Sequence, residues 1–342
     1  MKLLFDTHSV TENKTGIGVY CQKLMEGYSR MKIDLYLYSG SLSHRKSKKY
    51  VPLMDNGLFR VLFGLTHACY LYKPDILHIQ HFAPIIKTCK IVNTVHDVCF
   101  KTHKDGYGLL RLFTFKLFFQ FSLNQSDKII CVSESTKQQL LKNYSVDPGK
   151  ISVVHSGPGR IVMKTRNTKP HIYPYLLCVG NVESRKNPSR IVEYFKTAGK
   201  QFPDLKLIFV GNNNFNKYKV LTKTSKIEFL GYLSNLKLDR LYQNSLGVIY
   251  LSKCEGFGFP ILEAFQHKVP VIVSDIKVFR EIAGNAGIYV INKKQFIKAI
   301  KTLFDKNKRS AIIRKEIKRL KLFDWKKTLS LNYQVYSSLS GK

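Results

Sequence analysis

The stretch from Leu246 to Gln266 constrains the fold more than any other. Leu246-Gly247-Val248-Ile249-Tyr250-Leu251 is an unbroken apolar run, the mark of a strand buried on both faces. Such strands belong to parallel sheets covered by helices, so the chain is of the α/β class. The run leads into Cys254-Glu255-Gly256-Phe257-Gly258-Phe259-Pro260-Ile261-Leu262-Glu263-Ala264-Phe265, where two glycines and a proline separate two carboxylates eight positions apart. Pro260 to Gln266 reads as the first turns of a helix, with Pro260 near N1, where its missing N–H costs nothing. A helix N-terminus offers free N–H groups and partial positive charge, which suits a phosphate. Gly256 and Gly258 let backbone come close to a ligand. Carboxylates beside such a site suit sugar hydroxyls better than phosphate.

The same strand, loop and helix alternation runs through the rest of the chain. Residues 2–6 form a short strand ending in Asp6, and Gly16-Ile17-Gly18 reads as a glycine-rich turn before a helix reaching Tyr28. Further strands are expected at Ile33–Tyr38, Asp75–Ile79, Ile91–Val95, Lys128–Val132 and Ile151–Val154. Ser39 to Tyr50 is polar and basic, an expected loop or exposed edge. Gly108 to Leu123 is an apolar helix carrying Arg111 and Lys116, too short and too charged to span a bilayer. It reads as a buried crossover helix or as one resting on a membrane interface. Gly159 to Pro170 is polar and basic and marks the expected boundary between two domains. A second α/β series follows, with strands at Tyr175–Val179, Leu205–Val210, Ile227–Leu230 and Pro270–Ser274, and a last helix after Phe323-Asp324-Trp325.

Composition narrows the class. The 342 residues suffice for two domains. Hydrophobic content of 44% is that of a globular protein. No run of eighteen uncharged apolar residues is present, and the start lacks the apolar core of a signal peptide. The seven cysteines are scattered without a C-x-x-C pair, which argues against a zinc site or a disulfide framework and fits a cytosolic setting. Net charge is +33. It fits a generally solvated lysine-rich surface first, an anionic membrane surface second, and nucleic acid third, since no nucleic-acid-binding motif accompanies it.

Two more constellations carry chemistry. Gly180-Asn181-Val182-Glu183-Ser184-Arg185-Lys186-Asn187-Pro188 delivers two adjacent cations from a strand end to the front of a helix. Fixed cations stabilise a departing diphosphate without a metal, and Arg185 offers a fork where Lys186 offers a point charge. His96 ends a buried strand beside Asp97, at the strand end where ligands of open α/β sheets sit.

The E-G-F-G-F-P-x-L-E-A run at 255–264 resembles the two-glutamate motif of family 4 retaining nucleotide-sugar glycosyltransferases. Gly16-Ile17-Gly18, the Arg185-Lys186-Asn187 loop, Val132-Ser133-Glu134-Ser135, Phe229-Leu230-Gly231-Tyr232 and the Phe-x-Trp near the end recur in that family's order, from residue 3 to about 330. The resemblance implies the GT-B fold, two Rossmann-like domains facing each other across a cleft. It implies an acceptor-side domain at 1–160, a donor domain at 161–325, and a C-terminal helix at 326–342 packing back on the first. His96, Arg185, Lys186 and Glu255 would be catalytic, with His96 meeting the transferred sugar. Glu263 would hold the ribose, and Glu255, with Phe257 and Gly258, the sugar. The amides around Ile261 and Leu262 would meet phosphate, and the Gly16 and Gly18 segment would lie against the donor diphosphate or the acceptor. Asn181 departs from the family, many members of which place an Arg there, so the diphosphate contact rests on Arg185 and Lys186.

The implied activity is retaining, front-face transfer of a hexose, with mannose favoured, from a nucleotide-diphosphate sugar. GDP-mannose is the favoured donor and UDP-sugars the other choice. The acceptor would be a glycan or a polyprenyl-diphosphate-linked glycan of bacterial surface polysaccharide such as O-antigen. The protein would be cytoplasmic, peripheral on the inner face of the membrane, and would use no cofactor and no metal, since no D-x-D motif is present. The alternatives are a basic nucleic-acid-binding module, or an inactive scaffold, on a degenerate form of the fold. Intact Glu255, Glu263, Arg185 and Lys186 disfavour the first.

Overall fold

The computed structural model describes residues 1–10, 15–39, 50–52, 59–103, 109–159, 173–211 and 225–339. The basic segment 40–49 and the linker residues 160–172 lie outside them. The chain divides into two compact units, one comprising Met1–Gly157 with Asp324–Lys342, the other Pro158–Phe323.

The first unit holds a parallel seven-stranded sheet: β1 (Lys2–Asp6), β2 (Asp34–Ser39), β3 (Tyr50–Pro52), β4 (Ile76–Gln80), β5 (Lys90–Val95), β6 (Lys128–Cys131) and β7 (Ile151–Val153), in the order β3-β2-β1-β4-β5-β6-β7. Strand order reverses between β1 and β4. At such a switch point the connecting segments leave to opposite sides and open a crevice beyond the strands' carboxyl ends. All five residues of β4 are buried, including His78 and Gln80, the polar residues that alternate with Leu77 and Ile79. Helices pack on the sheet through apolar side chains such as Leu65, Ala68 and Cys69 on one, and Phe119 and Leu123 on Leu109–Gln125. That second helix is two-natured, because Phe113 and Leu117 are exposed. No helix among the described residues is long and apolar enough to cross a membrane.

The glycines at 16 and 18 are not a turn. They form the first turn of the helix Gly16–Tyr28, whose N-cap is Thr15, with Oγ1 accepting the Gly18 N–H at 3.1 Å. Gly18 is required because a Cβ there would stand 2.5 Å from the Ser9 carbonyl oxygen.

The last helix, Trp325–Ser337, belongs to this unit. Asp324 caps it by accepting the Lys326 N–H. Tyr336, fully buried, anchors it. Its hydroxyl contacts the Tyr28 hydroxyl at 2.7 Å and His78 Nδ1 at 2.5 Å, while His78 Nε2 meets Thr94 Oγ1 at 2.7 Å. Thr328 donates to the His155 carbonyl at 2.8 Å. Glycine at position 27 lets Leu329 sit where a Cβ would otherwise be.

The second unit holds a parallel six-stranded sheet: β8 (Tyr175–Val179), β9 (Lys206–Val210), β10 (Ile227–Phe229), β11 (Gly247–Tyr250), β12 (Val271–Ser274) and β13 (Ile288–Val290), in the order β10-β9-β8-β11-β12-β13. Here the order reverses between β8 and β11. Its core joins Leu176, Leu207, Ile249 and Ile272 of the sheet to Ile191, Phe195, Phe296 and Ile300 of the helices. Burying each such side chain contributes about 1.5–3 kcal/mol.

Candidate functional site

Both strands flanking the second unit's switch point end in the residues that the sequence singled out. β8 runs into Gly180, which adopts a left-handed φ of 121°. A side chain there would collide with the Lys186 amine, so glycine at 180 makes room for that cation. The 3₁₀ turn Ser184–Lys186 follows, and Asn187, at φ 58°, passes the chain to Pro188 at the start of a helix. A small pocket at this strand end is lined by Gly180, Asn181, Lys186, Pro188 and Tyr250.

β11 delivers Ser252 to Glu255 beside that turn. Glu255 is buried, with 8% of its surface exposed. Its Oε1 accepts from the Ser252 hydroxyl at 2.9 Å and its Oε2 pairs with Arg185 Nη1 at 2.7 Å. Burial opposes its ionisation, but Arg185 and then Lys186 outweigh that and hold the carboxyl below its ordinary value. Arg185 also gives its Nε–H to Glu183 at 2.8 Å, so one guanidinium serves two carboxylates. Lys186 forms no ion pair among the described residues, and its amine stands 5.4 Å from the Tyr250 ring centroid. The positive charge of this corner that no carboxylate pairs with is therefore on Lys186.

The turn after Glu255 closes at Gly258, at φ 106°, which caps the helix Phe259–Gln266. Only glycine takes this backbone without strain, and Phe279 and Ile261 crowd the position a Cβ would take. The Ile261 N–H donates to the Gly258 carbonyl at 3.0 Å and Pro260 has none, so two of the amides at this N-terminus are not open to a ligand. Phe257 is buried and stacks edge-on against Phe259 and Phe323. Leu262 is fully buried.

Glu263 is buried in a different network. Tyr242 donates its hydroxyl to Glu263 Oε2 at 2.9 Å. The Tyr242 ring stacks on His267, with centroids 4.7 Å apart and planes at 13°. His267 is clamped by the Asp239 carboxylate at 3.1 Å and by the Glu263 carbonyl at 2.7 Å. Gly159 passes so close that a Cβ there would lie 2.7 Å from Glu263 Oε1. Sequence reasoning missed Asp239, Tyr242 and His267. They stand 24, 21 and 4 positions from Glu263, and only the packed fold brings the first two beside it.

The first unit holds the remaining predicted residues. His96, just past β5, is 9% exposed. Its Nε2 donates to Gln80 Oε1 at 2.7 Å, and its ring meets Tyr20 edge-on at 4.9 Å and His81 at 5.5 Å. Burial, then His81, pushes its pKa well below the usual range, so the imidazole is neutral. Asp97 accepts the Cys99 N–H at 2.9 Å. Gly16 and Gly18 lie in the helix described above. The second unit thus gathers Arg185, Lys186 and Glu255, with Glu263 in its own network, while Gly16, Gly18 and His96 belong to the first. Among the described residues, no three His, Cys, Asp or Glu side chains are grouped to ligate a metal.

Residues 160–320 match the family described as Glycosyl transferases group 1, and residues 14–157 match Glycosyltransferase Family 4. The O-antigen chain mannosyltransferase RfbU of Salmonella typhimurium is 30% identical over 235 residues, which cover 66% of this chain and 63% of RfbU, a little under two thirds. The O-antigen chain mannosyltransferase B of Escherichia coli is 22% identical over 381 residues, covering 99% of this chain and 100% of that one. The Anabaena protein Alr3699/HepE, solved in complex with UDP-glucose, is alike in fold, with a TM-score of 0.74 at 15% identity over 100% of both chains. The two family matches meet near the boundary between the two units and together take in most of the chain. It belongs to the family 4, group 1 glycosyltransferases of GT-B fold.

Proposed function

We propose that the protein is a retaining hexosyltransferase that takes mannose from GDP-mannose and adds it to a glycan, carried on a polyprenyl diphosphate, in bacterial surface polysaccharide synthesis. The observation that carries this reading is the β8/β11 switch point. There an ionised, buried Glu255 is held against Arg185 beside Lys186, which forms no ion pair among the described residues. The two relatives named as O-antigen mannosyltransferases support mannose as the sugar.

In this reading Lys186 faces the diphosphate, and its charge offsets what develops on the leaving group. Arg185 orients Glu255, and Glu255 meets a hydroxyl of the transferred sugar. Glu263 receives the ribose. The neutral His96 contacts a sugar hydroxyl. The departing phosphate assists deprotonation of the acceptor, so that the new bond forms on the face the phosphate leaves. Exposed Phe113 and Leu117, together with the +33 net charge, support docking on an anionic membrane where a lipid-linked acceptor resides.

Thermal unfolding with GDP-, UDP- and ADP-linked sugars, each with and without EDTA, tests the proposal. Selective stabilisation by GDP-mannose that survives EDTA is expected. Stabilisation by a UDP-sugar alone overturns the donor assignment, and stabilisation by none overturns the transferase reading.

A further inference from the structure

The seven cysteines are scattered in sequence, yet the first unit brings two of them together. Cys69 lies on the helix Leu65–Tyr72, and Cys89 immediately precedes β5. Both are free thiols. They are 20 positions apart in the chain, while their sulfurs stand 3.8 Å apart in space. Their surroundings differ. Cys69 is 3% exposed and sits in an apolar cluster with Leu65, Ala68, Leu77 and Ile91. Cys89 packs on the edge of that cluster and is only half-buried, between exposed Thr88 and Lys90. A buried cysteine that serves as a small apolar side chain is inert, and Cys69 alone would fit that description. Cys89 does not.

The contact with Cys69 holds the Cys89 thiol below its ordinary range, helped by the Leu77 backbone and the Thr88 hydroxyl and opposed by burial and the Asp127 charge. The same contact, together with burial, raises the Cys69 thiol. With a proton on each sulfur either one can donate. Once one proton is lost Cys69 is the donor, because Cys89 is the sulfur that ionises first. An accessible sulfur that ionises readily, beside a second sulfur able to resolve it, is the arrangement by which thiols respond to peroxide. Residues 81–89 are in neither helix nor strand, so Cys89 sits on the part of the pair that can move.

We propose that Cys89 and Cys69 form an oxidative modification site, at which a peroxide converts Cys89 to a sulfenic acid and Cys69 closes a reversible disulfide. Cys89 attacks one peroxide oxygen. The S–O bond forms, the O–O bond breaks, and the hydroxide released takes the Cys89 proton and leaves as water. The Cys69 sulfur then attacks the Cys89 sulfur. The S–S bond forms, the S–O bond breaks, and the second hydroxide takes the Cys69 proton and leaves as a second water. The two thiols together lose two electrons, and hydrogen peroxide accepts them. The first step also removes the Cys89 thiolate, the group that raised the Cys69 thiol, and so eases the second. The bond ties the helix Leu65–Tyr72 to the segment entering β5 and closes a loop that contains β4. Thiol reductants reopen it, so the mark lasts only while oxidant is present. None of this depends on the transferase reading.

The test uses the full wild-type chain, reduced, freed of reductant and treated with a small excess of hydrogen peroxide. Remaining thiols are blocked with iodoacetamide, and a digest made without reduction is read by mass spectrometry. The expected main product is a peptide pair joined through Cys69 and Cys89, lighter by two hydrogens and separated by dithiothreitol. An unmodified Cys89 overturns the proposal. So does a Cys89 that reaches the sulfinic acid without joining Cys69, or one that joins another cysteine. In the reduced chain Cys89 should react with iodoacetamide about tenfold or more faster than Cys69, and the reverse order overturns the assignment of roles. Cys69→Ser should leave Cys89 open to dimedone as the sulfenic acid, and longer exposure should carry it to the sulfinic acid, which dithiothreitol does not reverse. Cys89→Ser should leave Cys69 unmodified.

Discussion

Tyr242→Phe isolates one interaction of the donor unit. The hydroxyl of a fully buried tyrosine donates at 2.9 Å to a carboxylate only 5% exposed. A hydrogen bond to a charged group contributes about 1.5–3 kcal/mol net. The phenyl ring keeps its stack on His267, so packing is conserved and the loss falls on the carboxylate alone. Glu263 then regains rotational freedom and a less favourable orientation. If it holds the ribose, nucleotide affinity falls by about 10- to 100-fold, since each 1.4 kcal/mol is a factor of ten. Calorimetric titration with GDP and with UDP measures this, with circular dichroism confirming an unchanged fold. Nucleotide affinity within about twofold of wild type, together with a lowered melting temperature, would refute the reasoning. It would make the Tyr242–Glu263 contact purely structural.

Other outcomes follow from the same geometry. Lys186→Ala removes a cation that forms no ion pair among the described residues, and should lower kcat by about 10²–10³ with a smaller change in donor KM, the pattern of lost transition-state charge stabilisation; steady-state kinetics decides it. His78 is fully buried, and desolvation brings its pKa down to about 3 although Asp6 opposes this. Between about 6.5 and 3 the unfolded chain binds the proton that the folded chain refuses, so stability falls as pH drops, by up to ~1.4 kcal/mol per pH unit. Urea unfolding at pH 7 and 5 should show a wild-type loss of roughly 2 kcal/mol from this group that shrinks in His78→Gln; an identical loss in both would remove His78 from the account.

Much of the fold is legible in the sequence because parallel strands bury both faces. Tyr175–Val179 reads as an unbroken apolar run and is buried throughout. Short edge elements are less visible. β13 is three residues following Gly287, its neighbours decided by tertiary packing. The Gly16-Ile17-Gly18 segment looked like a turn because glycine is the commonest turn residue. Its helical character hangs on Thr15, a capping residue whose partner amide lies three positions on. For the site, spacing alone marked Glu255, Glu263, Arg185 and Lys186. It could not show that Arg185 is shared between Glu183 and Glu255, nor that the two glutamates lie in separate networks, because those facts depend on side-chain directions set by the loop. Arg60 reaches Asp6 from 54 positions away, a pairing invisible without the fold.

The central claim divides the two glutamates between nucleotide and sugar, and paired measurements on Glu263→Ala and Glu255→Ala test it directly. GDP affinity by calorimetry should fall about tenfold or more in Glu263→Ala and stay within about twofold in Glu255→Ala. GDP release from GDP-mannose should be nearly lost in Glu255→Ala. Wild-type donor turnover in both variants would contradict the account.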